Sequence, residues 1–169
     1  FAAIKDDGSV VCWGHDESGG DCRAVADRLS LGTFDVVGSG GAFAALINDG
    51  SVVCWGCANN GGRAPVDVAY GVVKLFSNPK AFAAIKDDGS VVCWGHDESG
   101  GDCRAVADRL SLGTFDVVGS GGAFAALIND GSVVCWGCAN NGGRAPVDVA
   151  YGVVKLFSNP KAFAAIKDD

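Results

Sequence analysis

The side chains with the clearest chemistry are eight cysteines, two in every stretch of about forty residues. They lie at positions Cys12, Cys22, Cys54, Cys57, Cys93, Cys103, Cys135 and Cys138. An even number of regularly spaced cysteines is typical of a disulfide framework formed in an oxidising compartment. The sequence therefore predicts an extracellular or luminal protein that reaches its location by the secretory route.

Three arrangements of these thiols remain open. Local pairing joins Cys12 to Cys22 and Cys54 to Cys57. The short first loop would then contribute about 2–3 kcal/mol by the loop-entropy argument. A second arrangement links Cys22 to Cys57 and leaves Cys12 and Cys54 as buried thiols. In the third arrangement all the cysteines are free, since free cysteine is among the most buried residue types.

The cysteines do not have the spacing of a zinc or redox site. Cys54-x-x-Cys57 is half of a zinc site, but no second such pair or histidine pair follows at short spacing. His15 and His96 are the only histidines, and each follows a Trp-Gly pair in a loop. A redox Cys-x-x-Cys opens a helix in a βαβ unit, and the sequence has no such unit. We expect no metal site, and we interpret His15 as an exposed loop residue.

An acidic loop follows the first Trp-Gly pair and contains Asp16, Glu17 and Asp21. Carboxylates of this kind can hold calcium together with backbone carbonyls. The spacing lacks the alternating ligands of a dedicated calcium loop, which favours a hydrated acidic surface. Calcium at Asp16, Glu17 and Asp21 is the weak alternative to the prediction that the chain has no cofactor.

Four tryptophans occupy equivalent positions, each directly before a glycine. They are Trp13, Trp55, Trp94 and Trp136. A tryptophan at a fixed position of a repeat is typical of packing between neighbouring units, although an exposed indole can also stack on a sugar ring. We predict that these side chains pack at the contacts between units.

Composition and motifs exclude several classes of protein. Thirteen basic against twenty acidic residues give a net charge of −7, which argues against non-specific nucleic-acid binding. No apolar run reaches the length needed to span a bilayer. The nucleophile elbow and the phosphate-binding loop are both missing, since Gly38-Ser39-Gly40-Gly41 links two predicted strands and opens no helix. The chain is predicted not to be an enzyme.

Internal repetition organises the whole chain. Residues 1–81 recur without a change as residues 82–162, and residues 163–169 repeat residues 1–7. Each 81-residue period is itself double, because Phe1–Gly14 aligns without gaps on Phe43–Gly56. We name the two kinds of unit A and B. The predicted blades are 1–42 (A), 43–81 (B), 82–123 (A) and 124–162 (B), followed at 163–169 by the start of the next repeat.

The local signals within a unit are those of β-strands. Ala42 to Ile47 is a short apolar run, Asn48-Asp49-Gly50 is a hairpin-turn sequence, and Ser51 to Trp55 is rich in β-branched residues. A third strand is predicted at 34–37, with its counterpart at 73–76. For 25–31 a weak fourth strand and a short helical turn both remain open. A unit of about forty residues built this way matches a propeller blade.

The recurring pattern Phe-Ala-Ala-(Ile/Leu)-x-x-Asp-Gly-Ser-Val-Val-Cys-Trp-Gly, followed by a Gly-Gly loop, resembles the repeats of the regulator of chromosome condensation family. The Asp-Gly turn and the Trp-Gly after the valine pair carry the resemblance, which covers essentially the whole chain. It implies a β-propeller fold, usually of seven blades, that serves protein–protein contact. The acidic composition and the lack of a basic tail make the nucleotide-exchange and chromatin-binding members poor guides to function.

The fold class predicted is all-β, with tandem propeller-like blades in an open superhelical array. Identical 81-residue periods favour one repeated step from blade to blade, which builds a superhelix or fibre. Both ends carry the same seven residues, so they compete for one role instead of completing a ring. A segment of a closed propeller and an engineered repeat array are the alternatives.

These observations predict a structural protein, one stretch of a disulfide-reinforced filament that continues beyond both ends and self-associates with further copies of the same repeat. Neither nucleic acid nor a membrane is an expected partner. The second hypothesis is a closed propeller that presents its loops to a protein partner. The third is a carbohydrate-binding module that uses exposed tryptophan.

Overall fold

The short apolar runs of the sequence form antiparallel strands in a computed structural model that describes residues 1–168. The strands are β1 (Ala2–Ile4), β2 (Val10–Cys12), β3 (Thr33–Gly38), β4 (Ala42–Ile47), β5 (Val52–Gly56), β6 (Val72–Ser77), β7 (Ala81–Lys86), β8 (Val91–Gly95), β9 (Thr114–Gly119), β10 (Ala123–Ile128), β11 (Val133–Gly137), β12 (Val153–Asn159) and β13 (Ala162–Lys167). Two short helices, α1 (Ala26–Leu29) and α2 (Ala107–Leu110), lie between strands. The 3-10 turns are Asp16–Ser18, Arg23–Val25, Ala58–Asn60, Val66–Val68, Asp97–Ser99, Arg104–Val106, Ala139–Asn141 and Val147–Val149.

The Asp-Gly hairpins form where the sequence predicts them. In the β4–β5 hairpin, Gly50 has a φ of +81°, and the Asp49 carboxylate accepts a 2.8 Å hydrogen bond from the backbone N–H of Ser51. Glycine tolerates this backbone conformation and aspartate closes the turn, so the two residues set the register of the hairpin. That register places Phe43 opposite Trp55.

The strands form five antiparallel sheets. Three of them are complete, with the orders β3-β4-β5, β6-β7-β8 and β9-β10-β11. The first and last sheets have two strands each, β1-β2 and β12-β13. Each complete sheet takes its first strand from one sequence unit and its other two strands from the next, because the boundaries at 42/43, 81/82 and 123/124 fall inside β4, β7 and β10. The sheet and the sequence repeat are thus out of phase, which ties consecutive units together.

Residues 25–31, for which the sequence allows either a weak strand or a short helical turn, contain a helix. Residues 26–29 form α1, and the buried Leu29 anchors it. The Thr33 hydroxyl donates a 3.0 Å hydrogen bond to the Leu29 carbonyl at the end of this turn. The predicted strands at 34–37 and 73–76 are present as β3 and β6. The complete sheets therefore have three strands each, and a helical turn takes the place of the fourth.

The apolar core lies between the sheets. One cluster combines Ala44 and Leu46 of β4 with Leu75 and Phe82 of the next sheet and with Trp94. Each sheet is therefore stabilised chiefly by its neighbours, as in other repeat architectures.

The sheets follow one another in an open arrangement. Strands β3, β6, β9 and β12 contact one another in succession. Within residues 1–168 no strand pairing joins the first sheet to the last. The prediction of an open all-β array is confirmed. No helix of the described chain is both long enough and apolar enough to cross a membrane.

Candidate functional site

Contacts between neighbouring units centre on tryptophan, phenylalanine and glycine. Trp94 stacks on Phe82 with 5.4 Å between ring centroids. Its indole Nε1 donates a 3.1 Å hydrogen bond to the carbonyl oxygen of Gly61 in the preceding unit. Only 6% of Trp94 is exposed, so the indole N–H has the partner that a buried donor requires.

The Gly-Gly loop is shaped for this contact. Gly61 has a φ of +94°, and a Cβ at that position would collide with the Phe82 ring. Only glycine lets the loop lie against the ring with its carbonyl aimed at the indole. The same hydrogen bond, 3.0 Å long, joins Trp55 to Gly19 and Trp136 to Gly100.

Trp13 has a different environment from its three counterparts. It stacks on Phe1 and is 50% exposed, because no unit precedes it in the described chain. A sugar-stacking role would therefore fall to Trp13 alone, since the rings of Trp55, Trp94 and Trp136 are buried in the unit contacts.

One of the candidate disulfides is present. Cys12 is bonded to Cys22, with 6.0 Å between their Cα atoms. The equivalent thiols of Cys93 and Cys103 are not bonded but form a hydrogen-bonded pair. Burial, together with that hydrogen bond, raises the pKa of Cys93 well above its usual value.

The Cys54–Cys57 bond, one of the arrangements that the sequence leaves open, is not formed. The chain from Cys54 to Cys57 is extended along and just beyond β5. Three extended residues separate Cα atoms by about 10 Å, whereas a disulfide needs less than about 7 Å. Cys135 and Cys138 are free for the same reason, and the alternative Cys22–Cys57 bond is not present because Cys22 is bonded to Cys12. Burial raises the pKa of Cys54 to about 12 and that of Cys135 to about 11.

The acidic loop carries exposed carboxylates at Asp16 and Glu17 on a 3-10 turn. The Asp21 carboxylate instead binds the Arg23 guanidinium at 2.6 Å, which lowers the pKa of Asp21 to about 2. Among residues 1–168 no three His, Cys, Asp or Glu side chains are grouped as a metal site would require. Calcium binding at Asp16, Glu17 and Asp21 stays a prediction. The His15 ring is exposed and lies 3.4 Å from the Ser18 hydroxyl.

A surface that sequence reasoning missed is formed by the hairpin turns and by the connections that lead into β3, β6, β9 and β12. Backbone hydrogen bonds join these segments: Val72 N–H donates to Gly50 O at 2.9 Å, and Asp87 N–H donates to Gly71 O at 2.8 Å. We call this surface the hairpin-turn face. It comprises residues 5–9, 47–51, 86–90 and 128–132 with 30–33, 66–72, 111–114 and 147–153.

Large apolar side chains project from the hairpin-turn face at one position of every unit. These are Leu31, Tyr70, Leu112 and Tyr151, all largely exposed. Lys86 lies over the Tyr70 ring at 4.4 Å and donates to the Asp67 carbonyl, so the exposed ring is held in place. The sequence signal is a large side chain directly before a glycine of positive φ, as in Leu31-Gly32 and Tyr70-Gly71.

An open groove runs past the ends of β3, β6, β9 and β12, which we call the inner strands. Its volume is about 520 Å³, and its lining is made of small residues at the ends of these strands, such as Gly38, Ser77, Gly119 and Ser158. Within this inner layer Lys74 of a B unit pairs with Asp116 of the next A unit at 3.4 Å. The inner strands carry aspartate in A units and lysine in B units, at Asp35, Lys74, Asp116 and Lys155.

Comparison with known proteins identifies solved structures that have a similar fold. The chain matches no protein-family model, and a search of curated proteins finds no matching relative. Among solved structures, the CRINKLY WD40 ectodomain of the Arabidopsis thaliana receptor kinase ACR4 matches with a TM-score of 0.63 at 20% identity, over 98% of this chain and 54% of that chain. Prp20p from Saccharomyces cerevisiae matches with a TM-score of 0.64 at 15% identity, over 99% of this chain and 53% of that one. Human WBSCR16 matches with a TM-score of 0.61 at 16% identity, over 98% and 55%.

The chain therefore spans about half the length of the solved structures that it matches. At these identities the similarity establishes the fold. Yeast RCC1 (Prp20) is among the matches, which agrees with the resemblance carried by the Asp-Gly turn and the Trp-Gly pair. The fold is therefore an open array of β-propeller blades similar to those of yeast RCC1 (Prp20).

Proposed function

We propose that this chain is a protein-interaction module whose hairpin-turn face binds a protein partner. The observation that carries the proposal is the row of exposed apolar side chains, Leu31, Tyr70, Leu112 and Tyr151, repeated once in each unit. These side chains recur at one position of consecutive units, and exposed aromatic residues are enriched at interfaces.

The charges around this row indicate the chemistry of the partner. The hairpin turns carry Asp6, Asp7, Asp49, Asp87, Asp88 and Asp130. Hydrogen bonds from Ser51 lower the pKa of Asp49, so that carboxylate is ionised at neutral pH. A partner segment with alternating basic and apolar residues would complement both features.

The protein partners of similar structures support an interaction role. The structure of Prp20p is described together with its binding to Gsp1p and histones, and another structure shows Kap60 bound to yeast RCC1 (Prp20). Binding of a protein partner by the loops of a closed propeller is the second of the sequence-based hypotheses; the array is open, so only its interaction role is retained. It now has better support than the filament.

Binding to synthetic peptides tests this proposal. The probes are peptides that alternate lysine or arginine with leucine or tyrosine, and their acidic counterparts serve as controls. We expect salt-sensitive binding of the basic peptides that weakens at least about tenfold in the Tyr70→Ser, Tyr151→Ser double variant. The matched control is Ala58→Ser, Ala139→Ser, which alters exposed side chains beyond the far ends of β5 and β11. Equal binding by wild type and the tyrosine variant would refute the assignment.

For the cellular location we propose the secretory route. The Cys12–Cys22 bond suits an oxidising compartment, and the CRINKLY domain is described as an ectodomain. Expression behind a secretion signal should give a protein whose Cys12–Cys22 bond survives purification. Recovery of this pair fully reduced from the secreted protein would contradict the location.

Self-association is the second candidate function, and the filament is its extended form. The identical 81-residue periods favour it, because one repeated contact can propagate from unit to unit. Light scattering of the chain over a range of concentrations tests this candidate. The outcome of this measurement is independent of peptide binding by the hairpin-turn face.

A further inference from the structure

One loop of the A units contains two cysteines and occurs twice in the described chain. Residues 12–22 and 93–103 have the same sequence, and each copy begins in a strand, β2 or β8. Cys12 and Cys22 form a disulfide, whereas Cys93 and Cys103 are free thiols. The two copies therefore show one loop in an oxidised state and in a reduced state.

The backbone of the loop is the same in both states. Gly19 and Gly100 have φ/ψ of 90°/14° and 97°/9°. Cys22 and Cys103 have φ/ψ of −112°/14° and −114°/13°. In the bonded copy 6.0 Å separates the two Cα atoms, which lies within the range that a disulfide requires. Because the backbone is shared, Cys93 and Cys103 can be joined without a rearrangement of the chain.

Local contacts hold the reduced loop in this shape. The backbone N–H of Gly101 donates to the His96 carbonyl at 2.9 Å, and Asp102 binds the Arg104 guanidinium at 2.6 Å. Both contacts have equivalents of the same length in the oxidised loop, at Gly20 and Asp21. The shape of the loop therefore does not depend on the disulfide.

The two thiols of the reduced loop differ in their surroundings. The Cys93 thiol donates a hydrogen bond to the Cys103 sulfur, and this hydrogen bond lowers the pKa of Cys103, against the opposing effects of burial and of the Asp102 charge. Burial raises the pKa of Cys93 well above its usual value. Since the thiolate is the nucleophile in disulfide exchange, Cys103 is the attacking residue of the pair.

A groove beside β8 leads to both thiols. Its volume is about 340 Å³, and its lining includes Cys93, Cys103 and Val92 together with the charged Asp97 and Arg104. This volume lies in the range of pockets that bind small molecules. The charges of both signs suit a small peptide that carries carboxylate and ammonium groups.

The B units lack this pair of thiols. Alignment of unit A on unit B places Cys54 at the position of Cys12 and Ala64 at the position of Cys22. Cys54 is a free thiol. The B units therefore provide a control within the same molecule.

We propose that Cys93 and Cys103 form a thiol–disulfide exchange site that reacts with a small peptide disulfide such as glutathione disulfide. The Cys103 thiolate attacks one sulfur of this disulfide, and the first glutathione leaves and takes up the proton that Cys103 has lost. The Cys93 sulfur then attacks Cys103 Sγ in the mixed disulfide, and the second glutathione leaves with the Cys93 proton. The protein loses two electrons and two protons, and glutathione disulfide becomes two thiols. This site goes beyond the proposed peptide binding and does not rest on it.

Timed exposure of the reduced, folded protein to glutathione disulfide tests the site. Peptide mapping after an acid quench should find the Cys93–Cys103 bond in the wild type. In Cys93→Ser, glutathione should stay attached to Cys103, because the second thiol is missing. In Cys103→Ser, Cys93 should acquire glutathione at least about tenfold more slowly. Cys54 is the control in every sample, since no disulfide should join it to another residue of the chain.

Thermal unfolding provides a second measurement. After oxidation, the wild type should have a midpoint about 5 °C above that of the Cys93→Ser, Cys103→Ser double variant, because the closed loop restricts the unfolded chain. The control is the same comparison in reductant, where the difference between the two midpoints should be smaller. Circular dichroism verifies that each serine variant is folded.

Each outcome decides the proposal. A wild type that stays folded but does not form the Cys93–Cys103 bond would overturn the site. Equal rates of glutathione attachment in the two single variants would overturn the order of attack. If a serine variant does not fold, the mixed disulfide trapped at early times in the wild type decides that order: glutathione on Cys103 supports it, and glutathione on Cys93 contradicts it. None of these results bears on peptide binding by the hairpin-turn face.

Discussion

Trp13 and Trp94 occupy the same position of one repeated sequence, yet Trp13 is 50% exposed and Trp94 is 6% exposed. Trp94 donates its indole N–H to Gly61 of the preceding unit. Trp13 has no preceding unit in the described chain. Because Trp13 and Trp94 have the same local sequence, comparing them separates the effect of the contact between units from the effect of local sequence.

Replacing Trp94 by phenylalanine should destabilise the fold. The substitution leaves the Gly61 carbonyl without its donor, which costs about 1–3 kcal/mol for a buried group. Urea denaturation at concentrations where the chain is monomeric gives the free energy of unfolding.

Trp13→Phe is the matched control, since no such hydrogen bond is lost there. We expect its free energy of unfolding to stay within about 0.5 kcal/mol of the wild-type value. Equal losses in the two variants would show that the indole hydrogen bond contributes nothing to the contact.

Asn78 and Asn159 form a second pair with one local sequence. Asn78 is buried, its amide donates to Ser99 O, and its Oδ1 accepts from Lys80 N and Ala81 N at 2.9 Å. Asn78→Ala should cost about 2–3 kcal/mol, because several buried backbone groups lose their partner. Thermal and urea unfolding measure the change.

The exposed Asn159 accepts one hydrogen bond, from Lys161 N at 2.8 Å. Asn159→Ala should therefore cost less than about 1 kcal/mol in the monomer. A loss as large as that of Asn78→Ala would contradict the assignment of Asn78 to the unit contact.

Buried thiols should resist alkylation in the folded protein. Burial raises the pKa of Cys54 to about 12 and that of Cys135 to about 11, so their thiolate fractions at pH 8 are small. Against an unperturbed thiol, the alkylation rate of Cys54 should fall about a thousandfold. Timed iodoacetamide labelling followed by peptide mapping measures the rates.

The control for this labelling is the same protein in urea, where both thiols are exposed and should react at ordinary rates. Labelling of Cys54 at equal rates with and without urea would show that its thiol is accessible in the folded chain.

Acid should weaken the fold through Asp21 and Asp102. The neighbouring arginines, Arg23 and Arg104, lower the pKa of each carboxyl from 3.8 to about 2 by hydrogen bonding. The pKa of each carboxyl is lower in the folded chain than in the unfolded chain. The stabilisation that these two ion pairs give to the fold is therefore fully present above about pH 4 and is lost as the pH falls towards 2. We measure the free energy of unfolding from pH 7 to pH 2.

The Asp21→Asn, Asp102→Asn double variant should lose less stability than the wild type over this range. Glu17→Gln, Glu98→Gln is the control, because no hydrogen bond of these exposed side chains joins them to an arginine among the described residues. An unchanged pH profile in the aspartate variant would rule out a contribution from these ion pairs.

Local sequence was enough to predict the hairpins and many of the strands. Asn48-Asp49-Gly50 forms its turn because glycine accepts the positive φ and aspartate closes the turn, whatever surrounds them. Strands at 34–37 and 73–76 follow from apolar and β-branched residues. The Cys12–Cys22 bond is one of the arrangements that the sequence leaves open, and the identical loop leaves Cys93 and Cys103 free.

Of the arrangements that the sequence leaves open for Cys54 and Cys57, the structure has both thiols free, because the backbone of β5 is extended and separates two residues that are close in sequence. The hairpin-turn face was missed because its apolar residues, Leu31 and Tyr70, come from connections that only the fold places beside the turns.

Repetition in the amino-acid sequence by itself determined the period, the blade-like hairpins and the open order of the units. Only the tertiary structure decided which copy of each residue is buried, and that each sheet draws strands from two units. The physical reason is that turns and strands are set by short-range backbone preferences, whereas burial of Trp94 or Asn78 depends on a neighbouring unit far away in sequence.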